Sequence, residues 1–445
     1  MIEIGSVKIY NGDCREVARE LEGVSAVVTD PPYGLSFMMK DWDHKVPGVD
    51  YWSAIRSACL PGAYVLAFGG TRTFHRQVVA IEDSGFDIRD CLMWVYGSGF
   101  PKSLDISKAI DKAAGAEREI VGEVTKARST SGSSALPTLG GETVYKTWDI
   151  TKPATPEAET WSGYGTALKP ALEPITLAQN PRAGSFVDNV LSYGCGGLNV
   201  DGCRIEGEIP SVPQPKFGHN PESLNFASVG RAGYMSNNTQ GRYPSNLLID
   251  ESFAELFPNS KSGSRAAGVR SSMGFNGAKG DGGPAIVGSS GSAARFFYCA
   301  KASRLEREAG LDNFEPRQRD DTRLEGNVGG DNPRNRGLSR VKNYHPTVKP
   351  LTLMRYLVRL VTQPERNLIL DPFAGSGTTA VACALAGIPC VAIELDSGHC
   401  DIIEARVLWA VELRRRLGRE PELDLTPYQK KTDRPTGDQV ELFEM

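Results

Sequence analysis

The chain has 445 residues, 40% of them hydrophobic, and a formal net charge of −4. Because one domain usually has roughly 100 to 200 residues, we expect a core domain with a second domain or a large insertion. The weakly acidic charge argues against a protein that coats nucleic acid non-specifically, although a local basic face would suffice for contact with phosphates. No apolar run approaches the roughly 20 residues of a membrane span, so no membrane partner is expected.

The cysteines and histidines do not form a metal-binding pattern. Nine cysteines are scattered along the chain without a C-x-x-C pair, and only five histidines accompany them. An odd number of cysteines without a recognisable signal peptide is typical of a reducing cytoplasm with free thiols. We therefore expect a cytoplasmic protein without bound metal.

Short apolar strands alternate with helices over the first hundred residues. The predicted strands are 7–10, 26–29, 63–68 and about 88–96, and the first predicted helices are about 15–21 and 50–58. The same alternation resumes near the C-terminus, with predicted helices 351–361, 380–386 and about 399–418 and predicted strands 367–370 and 390–393. This pattern indicates an α/β fold, a mostly parallel sheet with helices on both faces.

The middle of the chain has a different composition. Residues 116–160 are rich in Thr, Ser, Gly and Pro, and residues 206–293 are richer still in Gly, Ser and Asn. Such stretches are typical of surface loops, and equally of segments that become ordered on binding a polyanion. The predicted organisation is 1–115 (first half of the core), 116–160 (insertion), 161–205 (core strand and connection), 206–293 (second insertion), 294–420 (second half of the core) and 421–445 (tail).

A glycine-rich turn follows the predicted strand 367–370. It consists of Asp371, Pro372, Phe373, Ala374, Gly375, Ser376, Gly377, Thr378 and Thr379. A P-loop would require Lys after Gly377, and the dehydrogenase fingerprint is incomplete. Glu394 ends the next strand about twenty residues later, where a carboxylate would accept hydrogen bonds from ribose hydroxyls. The turn and Glu394 together predict a nucleoside-binding half-site.

A second motif, Asp30-Pro31-Pro32-Tyr33, follows the apolar strand 26–29. Two consecutive prolines remove two amide donors and fix the backbone, so this segment cannot continue as strand or helix. A rigid turn at the carboxyl edge of a parallel sheet lies where such folds bind ligands. Alone it could be an ordinary Asp-Pro turn, but the glycine-rich turn elsewhere in the chain favours a functional site.

The two motifs and their order resemble those of the permuted, beta-type DNA amino-methyltransferases, which modify adenine N6 or cytosine N4. The resemblance rests on T-D-P-P-Y (29–33), H-P-T-V-K-P (345–350) and D-P-F-A-G-S-G-T-T (371–379), and strings at 167–175 and 197–203 look similar to phage and prophage methylases. In that family the catalytic half precedes the cofactor half, as it does here. The resemblance implies a Rossmann-like S-adenosylmethionine-dependent methyltransferase fold. It further implies a mostly parallel seven-stranded sheet and a large irregular target-recognition insertion, expected at 206–293.

The resemblance also implies the catalytic roles. Asp30 and the carbonyl of Pro31 would accept hydrogen bonds from the target amino group, and Pro32 would keep the turn rigid. Tyr33 would supply an aromatic face for a base swung out of the duplex. The partner is therefore expected to be double-stranded DNA, and the chemistry requires no metal. The sequence leaves monomer and homodimer open.

For S-adenosyl-L-methionine the resemblance implies a set of binding residues along the glycine-rich turn, on the following strand and in the motif upstream. They are Asp371, Pro372, Phe373, Ala374, Gly375, Ser376, Gly377, Thr378, Glu394, His345, Thr347 and Lys349, with Asp13 as the acidic partner of the adenosyl moiety. Two of them have a structural alternative, because Asp13 and Thr347 could each cap a helix instead.

Several alternatives stay open. Cytosine N4 is the alternative within the family, although Asp at position 30 favours adenine N6, because the cytosine enzymes more often have Ser there. Methyltransferases for RNA or protein glutamine usually carry Asn-Pro-Pro-Tyr and place the cofactor loop first. A non-catalytic DNA-binding protein of the same fold is disfavoured by the intact motifs. Basic residues between 295 and 350 could contact phosphates or form a solvated mixed surface.

Overall fold

The computed structural model describes most of the two chain ends and part of the middle. The described residues are 1–35, 43–97, 99, 103–129, 143–205, 241–250, 254, 256–261, 290–300, 304–318 and 340–421. Most of the predicted target-recognition insertion at 206–293, the basic residues at 319–339 and nearly all of the tail lie outside them. The chain divides into two compact units, Met1–Trp94 with Glu173–Met445 (unit 1) and Val95–Leu172 (unit 2).

The described residues form strands with the following bounds. They are β1 (Ile2–Ile4), β2 (Val7–Asn11), β3 (Val24–Thr29), β4 (Cys59–Phe68), β5 (Asp87–Val95), β6 (Ile120–Ser129), β7 (Thr143–Thr151), β8 (Leu172–Gln179), β9 (Leu247–Asp250), β10 (Asn259–Lys261), β11 (Ser290–Ser292), β12 (Tyr298–Ala300), β13 (Arg317–Gln318), β14 (Arg340–Val341), β15 (Ile369–Asp371) and β16 (Cys390–Glu394).

The α-helices have the following bounds. They are α1 (Cys14–Val17), α2 (Val49–Ala58), α3 (Phe74–Asp83), α4 (Ile106–Ala113), α5 (Pro156–Thr160), α6 (Phe186–Tyr193), α7 (Arg304–Glu308), α8 (Leu351–Val361), α9 (Thr378–Ala386) and α10 (Ser397–Leu417).

The main sheet has the strand order β1-β2-β16-β15-β3-β4-β8-β5-β9-β12. The run from β2 to β4 is parallel, whereas β8 pairs antiparallel with β4. The mostly parallel α/β sheet is thus confirmed, but the described residues contribute ten strands to it rather than seven. The prediction missed β1, which forms a hairpin with β2 through Gly5 at φ 58°. It also missed two short strands, β9 within the Gly/Ser/Asn-rich region and β12 just after it.

The central strands are buried on both sides. Every residue of β3 and of β15 is buried, which requires cover on both faces of the sheet. Val27, Val65 and Leu370 share one apolar cluster with Trp52 and Ile55 of α2. Among the C-terminal helices, α9 packs against both α8 and α10. This packing fixes the carboxyl ends of β3, β15 and β16 relative to one another.

Unit 2 contains a hairpin that the composition did not predict. Strands β6 and β7 pair antiparallel, and the hydroxyls of Thr125 and Thr147 are 2.8 Å apart across the pair. Elsewhere in unit 2, the buried Asp111 carboxylate accepts hydrogen bonds from Arg118 and Thr155. The region therefore has a polar network of its own, although its Thr-rich sequence lacks a long apolar run.

Candidate active site

The two predicted motifs lie side by side in unit 1. Strands β3 and β15 are parallel neighbours, and β3 ends at the residue before Asp30 whereas β15 ends at Asp371. The Thr29 hydroxyl donates to the Asp371 carboxylate at 2.7 Å, across 342 residues of sequence. The two motifs, although far apart in sequence, therefore lie together at the carboxyl ends of adjacent strands.

The glycine-rich turn takes a backbone conformation that only glycine adopts easily. Gly375 and Gly377 have φ of 56° and 75°. A Cβ on Gly375 would lie 2.8 Å from the His345 ring, and one on Gly377 would lie 2.7 Å from Ile403. Helix α9 begins at Thr378 with Gly377 as a cap that offers no side-chain hydrogen bond, so its first amide groups face outward without a side-chain cap.

Most residues of this turn are buried, and their contact with a cofactor stays a prediction. Phe373 and Gly375 keep partial exposure, and the ring of Phe373 packs 5.9 Å from that of Tyr51. The buried members are Asp371, Pro372, Ala374, Ser376, Gly377 and Thr378. The accessible surface of the turn is therefore an aromatic ring beside exposed backbone.

Arg406 of α10 supports the turn from the protein interior. Its buried guanidinium donates to the Ser376 carbonyl at 2.5 Å and lies 3.4 Å from the Thr378 hydroxyl. Burial lowers the pKa of Arg406 to about 10, so it stays charged at neutral pH. Sequence reasoning did not single out this arginine, since it lies in a helix without a recognisable motif.

Glu394 fastens the turn to the end of β16. Its carboxylate accepts hydrogen bonds from the Gly375 amide at 2.7 Å and from the Asp396 amide at 2.9 Å. The His399 ring lies 3.6 Å away and 4.8 Å from that of His345. Each carboxylate oxygen keeps a second lone pair for a ligand hydroxyl, so the ribose contact stays a prediction.

Asp13 caps a helix, which was the structural alternative to its predicted role in cofactor binding. It caps helix α1, where its carboxylate accepts from the Arg15 amide at 2.8 Å, and it pairs with the Arg15 guanidinium at 2.6 Å. The Arg15 hydrogen bond also lowers the pKa of Asp13. Its contact with an adenosyl group stays a prediction. Thr347, by contrast, does not cap α8, because that helix begins after Pro350.

The Asp30 motif is the centre of a partly buried polar cluster. The Lys349 ammonium lies 2.5 Å from Asp30 and 3.3 Å from Glu173 of β8. The Tyr33 hydroxyl lies 2.8 Å from Asp30 and 2.9 Å from Glu173. The ammonium also sits 4.9 Å from the centre of the Phe68 ring. Lys349, predicted to lie beside the cofactor, thus contacts the predicted catalytic carboxylate.

Burial and neighbouring charges set the protonation of this cluster. Burial raises the pKa of Asp30, an effect that Lys349 partly offsets. Burial alone would lower the pKa of Lys349, but the two carboxylates outweigh it and the net shift is upward. Burial and the same carboxylates raise the pKa of Tyr33 well above its usual value, so the phenol stays protonated.

Glu173 was not assigned a role from the sequence. It lies in a string noted only for its resemblance, Leu172-Glu173-Pro174, at the start of an otherwise buried strand. The sequence feature that could have identified Glu173 as a site residue is its charge at the start of an apolar strand. Its partners, Tyr33 and Lys349, are 140 and 176 positions away in sequence. The three residues meet only in the folded sheet, where β8 pairs with β4 and β4 pairs with β3, the strand that precedes Tyr33.

Two further observations concern metals and membranes. Within the described ranges, no group of three or more His, Cys, Asp or Glu residues is arranged to hold a metal ion. None of the helices in that part of the chain is long and apolar enough to cross a bilayer.

Residues 239–405 match the family model described as DNA methylase, of the N6 and N4 type. The chain is also 42% identical over 69 residues to the Type II methyltransferase M.HindIII of Haemophilus influenzae, across 16% of this chain and 22% of that protein. It is 37% identical over 67 residues to the Type II methyltransferase M2.MboI of Moraxella bovis, across 15% and 24%. These findings confirm the resemblance to the N6-adenine/N4-cytosine DNA amino-methyltransferases. The matches span less than a quarter of each relative.

Among solved structures, the PvuII DNA methyltransferase (cytosine-N4-specific) aligns over 93% of this chain and 92% of its own. The sequence identity is 11% and the TM-score 0.39, too low to establish a shared fold. The fold assignment therefore rests on the strand order and pairing of the main sheet.

Proposed function

We propose that this protein is an S-adenosylmethionine-dependent methyltransferase that modifies the N6 amino group of adenine in DNA. The observation that carries the proposal is the Thr29–Asp371 hydrogen bond, which joins the Asp30 motif to the glycine-rich turn at one sheet edge. The family match at residues 239–405 supports the class of reaction.

The chemistry of the site fits such a methyl donor. Gly375 and Gly377 form a cradle in which a side chain would clash with its walls, and Phe373 offers a ring beside it. When bound, S-adenosylmethionine would supply an electrophilic methyl group on a sulfonium.

The residues of the chain would orient the target amine. Its nitrogen is a poor nucleophile because the lone pair is delocalised into the ring. Hydrogen bonds from its protons to Asp30 and to the Pro31 carbonyl would favour a pyramidal nitrogen, and correct positioning supplies much of the rate. The Lys349 ammonium and the Tyr33 hydroxyl lie within hydrogen-bonding distance of Asp30, but each Asp30 oxygen has a further lone pair for the amine.

Adenine is favoured over cytosine by the residue at position 30, which is Asp. N4 of cytosine is the alternative, since both reactions use an acidic or hydroxyl residue, two prolines and an aromatic ring. RNA and protein glutamine are more distant alternatives. These four substrates all present an amino or amide nitrogen to the site, so the methylated product has to be identified directly.

Nucleoside analysis would decide among these substrates. The purified protein is incubated with deuteromethyl-labelled donor and double-stranded DNA, RNA or a glutamine peptide, and the digests are analysed by mass spectrometry. We expect labelled N6-methyladenine from DNA alone. Labelled N4-methylcytosine would support the alternative, and label in RNA or peptide would contradict the proposed substrate class.

A further inference from the structure

The Tyr33 hydroxyl lies between two carboxyl groups. It is 2.8 Å from Asp30 and 2.9 Å from Glu173, both at hydrogen-bonding distance. A phenol has one hydrogen and can also accept one, so its oxygen can receive a proton from one carboxyl while passing its own to the other. These three groups therefore form an unbroken line from the predicted catalytic carboxylate to Glu173.

Transfer of a methyl group to an amine creates a need for such a line. As the nitrogen–carbon bond forms, the sulfur–carbon bond breaks and its electron pair stays on sulfur. Positive charge develops on the nitrogen as this bond forms, and the nitrogen must lose one proton in the same step. Asp30 contacts this nitrogen under the proposed function, and its carboxylate oxygens lie 2.5 Å from the Lys349 ammonium and 2.8 Å from the Tyr33 hydroxyl in a partly buried site.

We propose that Glu173 is the final acceptor of this proton, which reaches it from Asp30 through the Tyr33 hydroxyl. The inference rests on the proposed function. One proton passes from the amine to Asp30, one from Asp30 to the Tyr33 oxygen, and one from Tyr33 to Glu173. Asp30 is thereby restored as a carboxylate and Tyr33 as a phenol, and only Glu173 ends protonated.

The charges and exposures of the cluster agree with this direction. Before transfer, two carboxylates face one ammonium, whereas afterwards Asp30 and Lys349 remain as a balanced pair. The side chains of Asp30 and Glu173 are 18% and 21% exposed, respectively. Under the proposed function the target base covers Asp30, so Glu173 is the group that can return the proton to solvent. Because Tyr33 strongly resists ionisation in this setting, its two proton movements must occur together.

Two conservative variants test the relay. Glu173→Gln removes the acceptor and Tyr33→Phe removes the hydroxyl while keeping the ring. Each should lower the single-turnover rate of methyl transfer to DNA by about 100-fold, the usual scale of acid–base catalysis. The double variant should be no slower than either single one, because both changes interrupt one path. Donor affinity, measured by calorimetry, should stay within about twofold of the wild type, as expected for groups that do not bind the donor.

Controls separate this inference from general effects and from the proposed function. Glu82→Gln on the exposed face of α3 and Tyr193→Phe at the end of α6, both in unit 1, make the same chemical changes outside the Asp30–Tyr33–Glu173–Lys349 cluster and should leave the rate unchanged. A wild-type rate in either relay variant, or additive losses in the double variant, would overturn the relay. If Glu173→Gln fails to fold, as judged by circular dichroism, Tyr33→Phe alone decides. A wild-type protein that transfers no methyl group would instead refute the proposed function.

The solvent deuterium isotope effect is a readout that a purely structural role would not move. A relay predicts a larger effect on the single-turnover rate in the wild type than in Tyr33→Phe, because the variant has fewer protons in flight. Equal effects in both proteins would contradict the relay even if the rates differ.

Discussion

Asp371 shows how a residue of a binding motif can act first as a structural group. Its carboxyl is buried and accepts hydrogen bonds from the Thr29 hydroxyl at 2.7 Å and the Phe373 amide at 3.3 Å. Burial raises its pKa from 3.8 to about 6, against the opposing effect of these hydrogen bonds. At neutral pH the protein therefore holds a charged carboxylate at a cost, at the junction of the two motifs.

Replacement of Asp371 by Asn should make this cost measurable. Because the folded-state pKa is raised, the contribution of Asp371 to stability is fully present below about pH 4 and is lost as the pH rises through about 6. The free energy of unfolding of the wild type, relative to Asp371→Asn, should fall by about 2 kcal/mol from pH 4 to pH 7. Urea denaturation at several pH values would measure it. A difference independent of pH would show that Asp371 titrates normally.

At the scale of elements, the start of α9 depends on two independent demands on Gly377. Its φ of 75° is unfavourable for other residues, and its missing Cβ leaves room for Ile403 of α10 at what would be 2.7 Å. Gly23 has a similar φ of 77°, but nothing lies within 4 Å of its position. Comparison of alanine variants at Gly377 and Gly23 therefore separates the cost of backbone strain, common to both, from the cost of a packing clash, present only at Gly377.

Gly377→Ala should therefore be costlier than Gly23→Ala. The left-handed conformation alone should cost each variant about 1 to 2 kcal/mol, and the clash should cost Gly377→Ala a further 1 to 3 kcal/mol, roughly. Gly377→Ala should also lose donor affinity, while Gly23→Ala keeps it. Urea denaturation and calorimetry would measure both quantities. Equal losses of stability in the two variants would show that α9 and α10 are not packed as described.

The elements also show what the sequence can and cannot predict. Apolar runs and glycine or proline boundaries predicted α8 at its observed bounds and placed β3, β15 and β16 within one or two residues at most ends. Local patterns could not reveal Glu173 or Arg406 as site residues, because their partners come from distant segments brought together by the sheet. The hairpin β6–β7 was missed because its strands mix Thr, Lys and Gly with few apolar residues.

At the scale of the whole molecule, strands from the two ends of the chain are interleaved in the central sheet. Strand β15, from the C-terminal part, lies between β16 and the N-terminal strand β3. Neither part of unit 1 can then complete the central sheet alone, and each would expose buried strand edges.

Division of the chain at residue 220 should make this dependence visible. Fragments 1–220 and 221–445 should aggregate when expressed separately, and should co-purify and regain donor binding when expressed together. Gel filtration and calorimetry would follow both outcomes. An N-terminal fragment that is monomeric and cooperatively folded by itself would contradict the shared sheet.

The central claim, that Asp30 acts on the target amine while the glycine-rich turn holds the donor, is tested most directly by Asp30→Ala. Transfer of a tritiated methyl group to DNA and donor affinity are measured on the same preparation. We expect transfer to be abolished and donor affinity to be largely retained, because Asp30 faces the amine rather than the donor. Methyl transfer at the wild-type rate in this variant would contradict the account.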